Sequence, residues 1–228
     1  MKRGGFVATS LFALGQILTA QTAHAATIQV GIGTFGAGST LTTFNGLPDG
    51  LEVNGLTVDG ILFQYSTGPR GGDGDLIIDG GGAVTNNVAP PAIVSAPRGD
   101  PTGILTLTLP SAVDTFGYGY AMLVIGTFTA TSISLFDGAT PLGSQLYVGA
   151  PDPVFTGGFA GIQSTVPFNR VLLTFNFFLG RGFAVDNLRT FNSAAVPEPA
   201  TLTLLASGIA AAAWRRRLRT GRRRSDHT

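Results

Sequence analysis

The sequence predicts an all-β protein, an antiparallel β-sandwich or jelly roll, and two observations carry this prediction. Across residues 27–192 apolar and polar residues alternate with a period of two, which indicates strands with one buried face. Turn sequences such as Pro48-Asp49-Gly50 and Asn54-Gly55 separate these segments at short intervals, and no segment between them is convincingly helical. Many short strands punctuated in this way are typical of sandwiches and jelly rolls.

The strand patterns differ along the chain. In Ile104–Leu109 leucines alternate with threonines, and we expect this strand to stop at Pro110. Val171–Leu179 has apolar residues on both faces, which predicts a central, covered strand. The region 68–103 is rich in Gly, Pro, Asn and Asp, and we expect it to form long loops around a short strand at Leu76–Ile78.

The N-terminal segment has the features of a secretory signal peptide. Lys2 and Arg3 give it a positive start, and the apolar stretch Phe6–Leu18 follows. Ala23-His24-Ala25 then supplies the small-x-small pattern that signal peptidase recognises. We therefore predict a signal peptide over residues 1–25, cleaved between Ala25 and Ala26, followed by a β-sandwich domain over 26–192.

Charge is divided sharply along the chain. Residues 26–196 contain five arginines against ten aspartates and Glu52, a formal charge of −6, whereas residues 215–228 contain seven arginines against Asp226, a charge of +6. The acidic body has no basic patch, which argues against nucleic acid as its partner. Because the chain has no cysteine, its core alone must hold the exported domain together.

Missing residue types restrict the chemistry of the body. The two histidines, His24 and His227, and the single lysine, Lys2, all lie outside residues 26–192. This excludes catalytic triads, zinc and copper sites of the usual kind and Schiff-base chemistry. We predict a protein that is not an enzyme. The alternative is a carboxylate-dependent glycan hydrolase or lyase, although most aspartates lie in turns where they have a structural role.

Two places could hold a hard cation. Asp73, Asp75 and Asp79 lie in a glycine-rich acidic segment, but their spacing fits neither an EF-hand nor a β-roll, and a solvated acidic loop is the alternative. Asp186 is flanked by apolar residues, so its carboxylate must be paired or coordinated. Arg181, Arg189 or a structural calcium ion could satisfy it. We expect no cofactor, and a bound calcium ion is the one alternative left open.

Two further matches carry no function. Gly31–Gly36 fits G-x-G-x-x-G, but the residues after it cannot sustain the helix on which a dinucleotide pyrophosphate rests. Thr127, Thr129 and Thr131 form a T-x-T-x-T face that could suggest ice binding. A single strand cannot build a regular threonine array, and threonine is common on exposed strands.

The C-terminal segment combines three features in a fixed order. Pro197-Glu198-Pro199 is expected to be extended and accessible and ends a linker over residues 193–199. Residues 200–214 predict an apolar transmembrane helix, short for a relaxed span, that ends at Trp214. The basic cluster that stops it predicts a cytoplasmic tail over 215–228 and a body outside; its arginines are Arg215, Arg216, Arg217 and Arg219.

This arrangement resembles the PEP-CTERM protein-sorting domain of Gram-negative bacteria, a tail also named the ice-binding protein C-terminal domain. The resemblance implies recognition of Pro197, Glu198 and Pro199 by an exosortase, a membrane transpeptidase that is thought to cut nearby. It also implies an association with exopolysaccharide and biofilm matrix. Segments such as GGFAGI (157–162) and GFAVDNLRTF (182–191) are similar to those of other β-rich passengers of such tails.

From these observations we expect a protein of the cell envelope or extracellular matrix that binds carbohydrate or exopolysaccharide. Its expected partners are signal peptidase, exosortase, the inner membrane and exopolysaccharide. We expect it to be anchored in the inner membrane through its C-terminal segment until processing. A structural adhesin without a small ligand is the second alternative.

Overall fold

The computed structural model describes residues 25–67, 76–82, 85–95, 102–176 and 182–193. This part of the chain contains one 3-10 turn (Ile32–Thr34) and eleven strands: β1 Thr27–Gln29, β2 Thr40–Thr42, β3 Thr57–Val58, β4 Ile61–Ser66, β5 Ile77–Asp79, β6 Ala92–Val94, β7 Ile104–Met122, β8 Phe128–Asp137, β9 Thr140–Pro151, β10 Thr156–Phe175 and β11 Phe183–Phe191. All strand pairings among them are antiparallel. The all-β prediction is confirmed.

The two long strands, β7 and β10, each take part in two layers. In layer A, β4 pairs with residues 104–108 of β7, which pair with the second half of β10, and β8 and β9 follow. In layer B, residues 115–122 of β7 lie between β11 and the first half of β10, with β1 beyond β10 and β2 and β6 beyond β11. The predicted sandwich therefore forms by long strands that cross from one layer to the other.

Aromatic side chains join the layers in the core. The Phe175 ring of β10 stacks on the Phe183 ring of β11 with centroids 3.7 Å apart. The Thr131 hydroxyl donates to the Thr174 carbonyl at 2.8 Å, so it accepts from the buried Tyr118 hydroxyl, 2.5 Å away. A buried tyrosine is stable only when its hydroxyl finds such a partner. Tyr118 thus fixes layer B against β8 of layer A.

The expectation that a strand stops at Pro110 is wrong. Leu105, Leu107 and Leu109 are buried as the alternation predicts, but β7 continues through exposed residues 110–112 to Met122. Its register with β10 shifts in this region, between the Phe168–Val113 and Arg170–Thr108 pairs. A proline is tolerated at such an irregularity because no ladder donor is needed there. The interruption marks the passage between layers.

The loop-rich region hides a strand that the sequence pattern did not predict. β6 (Ala92–Val94) follows Pro90–Pro91 and pairs with β11 and with β5. The predicted strand Leu76–Ile78 is observed as Ile77–Asp79, shifted by one residue. The described strands lie within residues 26–192, and the other domain boundaries stay predictions because residues 1–24 and 194–228 lie outside the described residues.

No helix within the described ranges is long and apolar enough to cross a membrane. The predicted signal helix and the predicted transmembrane helix over residues 200–214 fall on residues that the structure does not describe.

Candidate functional site

The outer face of layer A is a broad surface of small polar and aliphatic side chains. Strand register places the side chains of this face in three rows that run from β4 to β9. In the first two rows, each residue is paired with the next across all five strands. In the third row, β4 is paired with β7, and β10 is paired with β8, which is paired with β9, but the β7 and β10 residues are not paired with each other. The rows are Leu62, Thr108, Arg170, Phe136 and Pro141; Gln64, Thr106, Leu172, Ser134 and Ser144; and Ser66, Ile104, Thr174, Ser132 and Leu146. Each of these side chains is exposed or half-buried.

The chemistry of this outer face is hydroxyl-rich and nearly uncharged. Arg170 is the only charged residue in the three rows, and its guanidinium carbon lies 4.7 Å from the centre of the Phe136 ring. The Ser132 and Thr174 hydroxyls are hydrogen-bonded at 2.6 Å. Five strands at about 4.8 Å spacing make the face roughly 19 Å wide. Hydroxyls, an amide and aliphatic patches of this extent can contact both the polar and the apolar sides of a sugar chain.

The outer face of layer B is closed by the chain itself. A Cβ atom at Gly119 would lie 1.9 Å from the Asn87 carbonyl oxygen, and one at Gly161 would lie 2.5 Å from the Val30 carbonyl oxygen. The Phe35 ring packs edge-on against Phe159 with centroids 5.5 Å apart. The glycines are therefore required because two segments, near Val30 and near Asn87, lie directly on the backbone of the sheet.

The segment over Gly119 is held by an aspartate in the turn after β9. The Asn87 side-chain amide donates to Asp152 Oδ2 at 3.1 Å, and the Asn86 side-chain amide donates to Asp152 Oδ1. The Thr85 hydroxyl accepts the Val88 amide hydrogen at 3.1 Å. Burial, together with the charge of Asp152, raises the pKa of Tyr120 to about 12. Asp152 therefore has a structural role in closing layer B.

Asp186 lies beneath the same segment. It is 3% exposed, and its Oδ2 accepts the Ala89 amide hydrogen at 3.2 Å. Its Oδ1 is buried without a hydrogen-bond partner among the described residues, so Arg189 does not satisfy it. Burial raises the pKa of the Asp186 carboxyl, and hydrogen bonds from the Ala89 and Asn187 amides oppose the rise. Arg181 lies outside the described residues.

A bulge in β11 puts Asp186 in this position. The pairing with β7 skips from Asp186–Gly119 to Arg189–Gly117, and Asn187 adopts a left-handed φ of 53°. The Asn187 side chain donates to the Asn87 carbonyl at 3.0 Å. Bulges redirect side chains locally, and here the bulge ties β11 to the covering segment.

The other metal candidates do not gather in the described structure. Asp79 ends β5, and its Oδ1 accepts the Gly81 amide hydrogen at 2.8 Å, which makes it a turn residue. Asp73 and Asp75 lie outside the described residues. Among the residues described, no three Asp, Glu, His or Cys side chains form a group that could hold a metal ion. The expectation of no cofactor, with calcium left open, stays a prediction.

Several carboxylates are committed to loop structure. Asp49 Oδ1 accepts the Gly80 amide hydrogen at 2.9 Å, and Asp114 Oδ1 accepts the Ser193 amide hydrogen at 3.0 Å. Asp152 and Asp79 are occupied as described above. A glycosidase needs an acid and a base that face a substrate together. These four aspartates instead hold turns and the end of the domain.

Ala26, the predicted first residue after signal-peptide cleavage, and Ser193, the first residue of the predicted linker, lie at one end of the sandwich. The Ala26 amide donates to the Thr165 hydroxyl at 3.1 Å, and the Gln163 side chain donates to the Ser193 hydroxyl at 3.4 Å. Asp114 also accepts from the Ser193 hydroxyl. These residues line an open groove of about 630 Å³, which we call the terminal groove.

The two motif matches that were set aside have structural roles. Thr131 is buried and hydrogen-bonded, whereas Thr127 and Thr129 are exposed, because the register of β8 shifts between Thr129 and Thr131. The three threonines do not share one face. Gly31–Gly36 contains the three-residue turn Ile32–Thr34 and no longer helix.

Sequence reasoning missed both the open face and the terminal groove. The polar alternation in each strand was visible, but it does not tell which strands lie side by side. Order and spacing predicted three further groups of residues: the sorting motif Pro197, Glu198 and Pro199; the cleavage-site residues Ala23, Ala25 and Ala26; and the arginines Arg215, Arg216, Arg217 and Arg219. Apart from Ala25 and Ala26, these residues lie outside the described ranges.

Comparison with protein families gives one match. Residues 195–217 match the family model of the PEP-CTERM protein-sorting motif. The chain carries a PEP-CTERM motif. The predicted sorting residues all lie within this match, as do Arg215, Arg216 and Arg217, while Arg219 lies just beyond it. The resemblance inferred from Pro-Glu-Pro, apolar segment and arginine cluster is confirmed. A comparison with curated proteins finds no match.

Solved structures similar to this chain include family 29 carbohydrate-binding modules. One of them has a TM-score of 0.37 and 11% identity, over 67% of this chain and 88% of that module. A variant of CBM29-2 complexed with cellulohexaose has a TM-score of 0.39 and 10% identity, over 68% and 92% of the two chains. These scores are too low to assign a ligand to this chain.

Proposed function

We propose that this protein is exported, held in the inner membrane by its PEP-CTERM segment, cut there by an exosortase, and released to the cell envelope or matrix. In that place the body acts without catalysis and binds polysaccharide on the outer face of layer A. The observation that carries the sorting half is the match of residues 195–217 to the sorting motif. The open, hydroxyl-rich outer face carries the binding half.

The arrangement of the body supports the sorting half. A cut before Ala26 leaves the first strand intact, because Ala26 and Thr165 exchange hydrogen bonds of 3.1 Å at the start of the β1 pairing. Ser193 is fastened by Asp114 and Gln163, so a cut near Pro197 also falls outside the folded layers. Both processing events therefore spare the core.

The outer face of layer A is rich in hydroxyl groups and poor in charged groups, which supports polysaccharide as the ligand class. The body is acidic, yet the three rows of the outer face contain one arginine and no carboxylate. A neutral, hydroxyl-rich polymer can exchange hydrogen bonds with Gln64, Thr106 and Ser134 and place its apolar side on Leu172. Such a surface needs no rearrangement, since the strands already hold the side chains in register.

The residue types of the body favour a binding protein over the hydrolase alternative. The body lacks His, Cys and Lys, and Asp49, Asp79, Asp114 and Asp152 are tied to loops. Asp186 lies beneath the segment near Asn87 and is 3% exposed, so its carboxylate is not open to a glycan in this structure. A structural adhesin stays the second alternative.

Two measurements on protein from the producing cells test this proposal. Intact mass of the protein recovered from the envelope should show a start at Ala26 and an end close to Pro197–Pro199. The same processed protein should co-sediment with exopolysaccharide extracted from those cells and leave its chain length unchanged. A mass that extends through Thr228 contradicts processing, shortening of the polysaccharide supports the hydrolase, and absence of co-sedimentation supports the adhesin.

A further inference from the structure

The terminal groove is formed where the body meets both processed segments. Ala26, Ile28 of β1, Pro167 of the β10 irregularity and Ser193 all line it. The Ile28 side chain is 56% exposed there, although it belongs to a paired strand. With Ala26 and Pro167, Ile28 gives this groove an apolar lining beside the point where the described chain ends.

The length of the linker brings any enzyme that holds the sorting motif close to this groove. Three residues, 194–196, lie between Ser193 and Pro197, so the chain makes four steps from one Cα atom to the next, and an extended chain covers at most about 3.5 Å per step. Pro197 therefore lies no more than roughly 14 Å from the fastened Ser193. A membrane enzyme that binds Pro197-Glu198-Pro199 therefore works close to the terminal groove.

The chemistry of the groove favours a protein surface over a lipid surface. Among the described residues that line it, the charged one is Asp114, whose carboxylate accepts hydrogen bonds from Ser193 and Thr115. No basic residue lines it within the part of the chain that the structure describes. Anionic headgroups attract basic clusters, whereas an apolar patch edged by satisfied polar groups is typical of protein interfaces.

We propose that the terminal groove is a docking surface for the membrane enzyme that cuts at Pro197-Glu198-Pro199, so that the folded body takes part in its own processing. The inference rests on the sorting half of the proposed function. Ile28 supplies the apolar contact, and the fastening of Ser193 sets the distance from that contact to the cut. A body that has not folded lacks the groove, and the enzyme then meets the motif alone.

The test follows processing of the full chain in the producing cells by pulse labelling. Ile28→Asp places a carboxylate in the groove, and Val154→Asp is the matched control because Val154 is 55% exposed outside it. We expect Ile28→Asp to slow tail cleavage by about tenfold, as for a charge placed in an apolar contact, and Ile28→Leu to restore it. Val154→Asp should be cut at the wild-type rate.

Two readouts keep the outcomes distinct. The melting temperature of each purified variant shows that the body is folded, and Pro167→Asp, also in the groove, replaces Ile28→Asp if that variant unfolds. Equal cleavage of all folded variants overturns the docking inference alone. A wild-type protein that keeps its full mass overturns the sorting function and the inference with it.

Discussion

The two outer faces of the sandwich differ in what covers them. In layer B, Gly119 and Gly161 let the segments near Asn87 and Val30 lie against the sheet, and Gly117 leaves room for the Phe159 ring, so the chain itself covers this face. In layer A the corresponding positions bear Thr, Ser, Gln and Leu side chains that stay accessible. One face is therefore covered by the chain itself, and the other is the face for which we propose polysaccharide binding. We therefore expect substitutions on the outer face of layer B to change stability and substitutions on the outer face of layer A to change polysaccharide binding.

The largest effect on stability is expected at Gly119. Gly119→Ala puts a Cβ atom 1.9 Å from the Asn87 carbonyl oxygen, so the covering segment must move off the sheet. We expect a loss of about 2–3 kcal/mol in the free energy of unfolding, measured by chemical denaturation. Gly36→Ala is the control, because a Cβ there meets nothing within 4 Å. A loss of similar size at Gly36 would contradict the closed-face account.

A smaller effect is expected from the aspartate that holds this segment. Asp152→Ala removes the acceptor of both the Asn86 and Asn87 side-chain amides. We expect a cost of about 1–2 kcal/mol in the free energy of unfolding. A double-mutant cycle with Asn87→Ala should show coupling between the two sites, and strict additivity would mean that Asp152 does not hold the segment.

Asp186 should make stability depend on pH. Burial raises its pKa in the folded protein, so between the unfolded value of about 4 and the folded value the native state binds more protons. Stability should therefore fall as pH rises through that window. We expect the melting temperature of the wild type to decrease from pH 4 towards neutrality and that of Asp186→Asn to lack this decrease.

The control for this measurement is Asp137→Asn, an exposed aspartate at the β8–β9 turn, which should leave the slope in place. A calcium ion at Asp186 Oδ1 would give a different result. The melting temperature at neutral pH would then rise with calcium and fall with a chelator, by linkage of binding to folding.

Particular residues show how much of the fold could be predicted from the sequence. The leucine–threonine alternation of 104–109 predicted which side chains of β7 are buried, because period two is a local property. The closed face was not predictable, since nothing local states that Asn87 lies on Gly119. The expectation that the strand stops at Pro110 was wrong because a proline ends a strand only where its backbone N–H would have to donate to the neighbouring strand.

The candidate sites divide in the same way. The sorting segment was predictable because its order of proline, apolar run and arginines is local. The apolar neighbours of Asp186 indicated a carboxylate that must be paired or coordinated. Its partner was not predictable, because the bulge at Asn187 and the segment at Ala89 are distant in sequence. The open face of layer A depends on five strands drawn from residues 62 to 174 and required the fold.

We propose that polysaccharide binds to the outer face of layer A, and one comparison of two variants tests this proposal most directly. Leu146 on that face and Ile125 outside it are 65% and 66% exposed, so Leu146→Asp and Ile125→Asp should each change stability by less than about 0.5 kcal/mol. Co-sedimentation of the processed proteins with the extracted exopolysaccharide should be weakened by about tenfold for Leu146→Asp and unchanged for Ile125→Asp. Equal binding by the two variants would contradict the account.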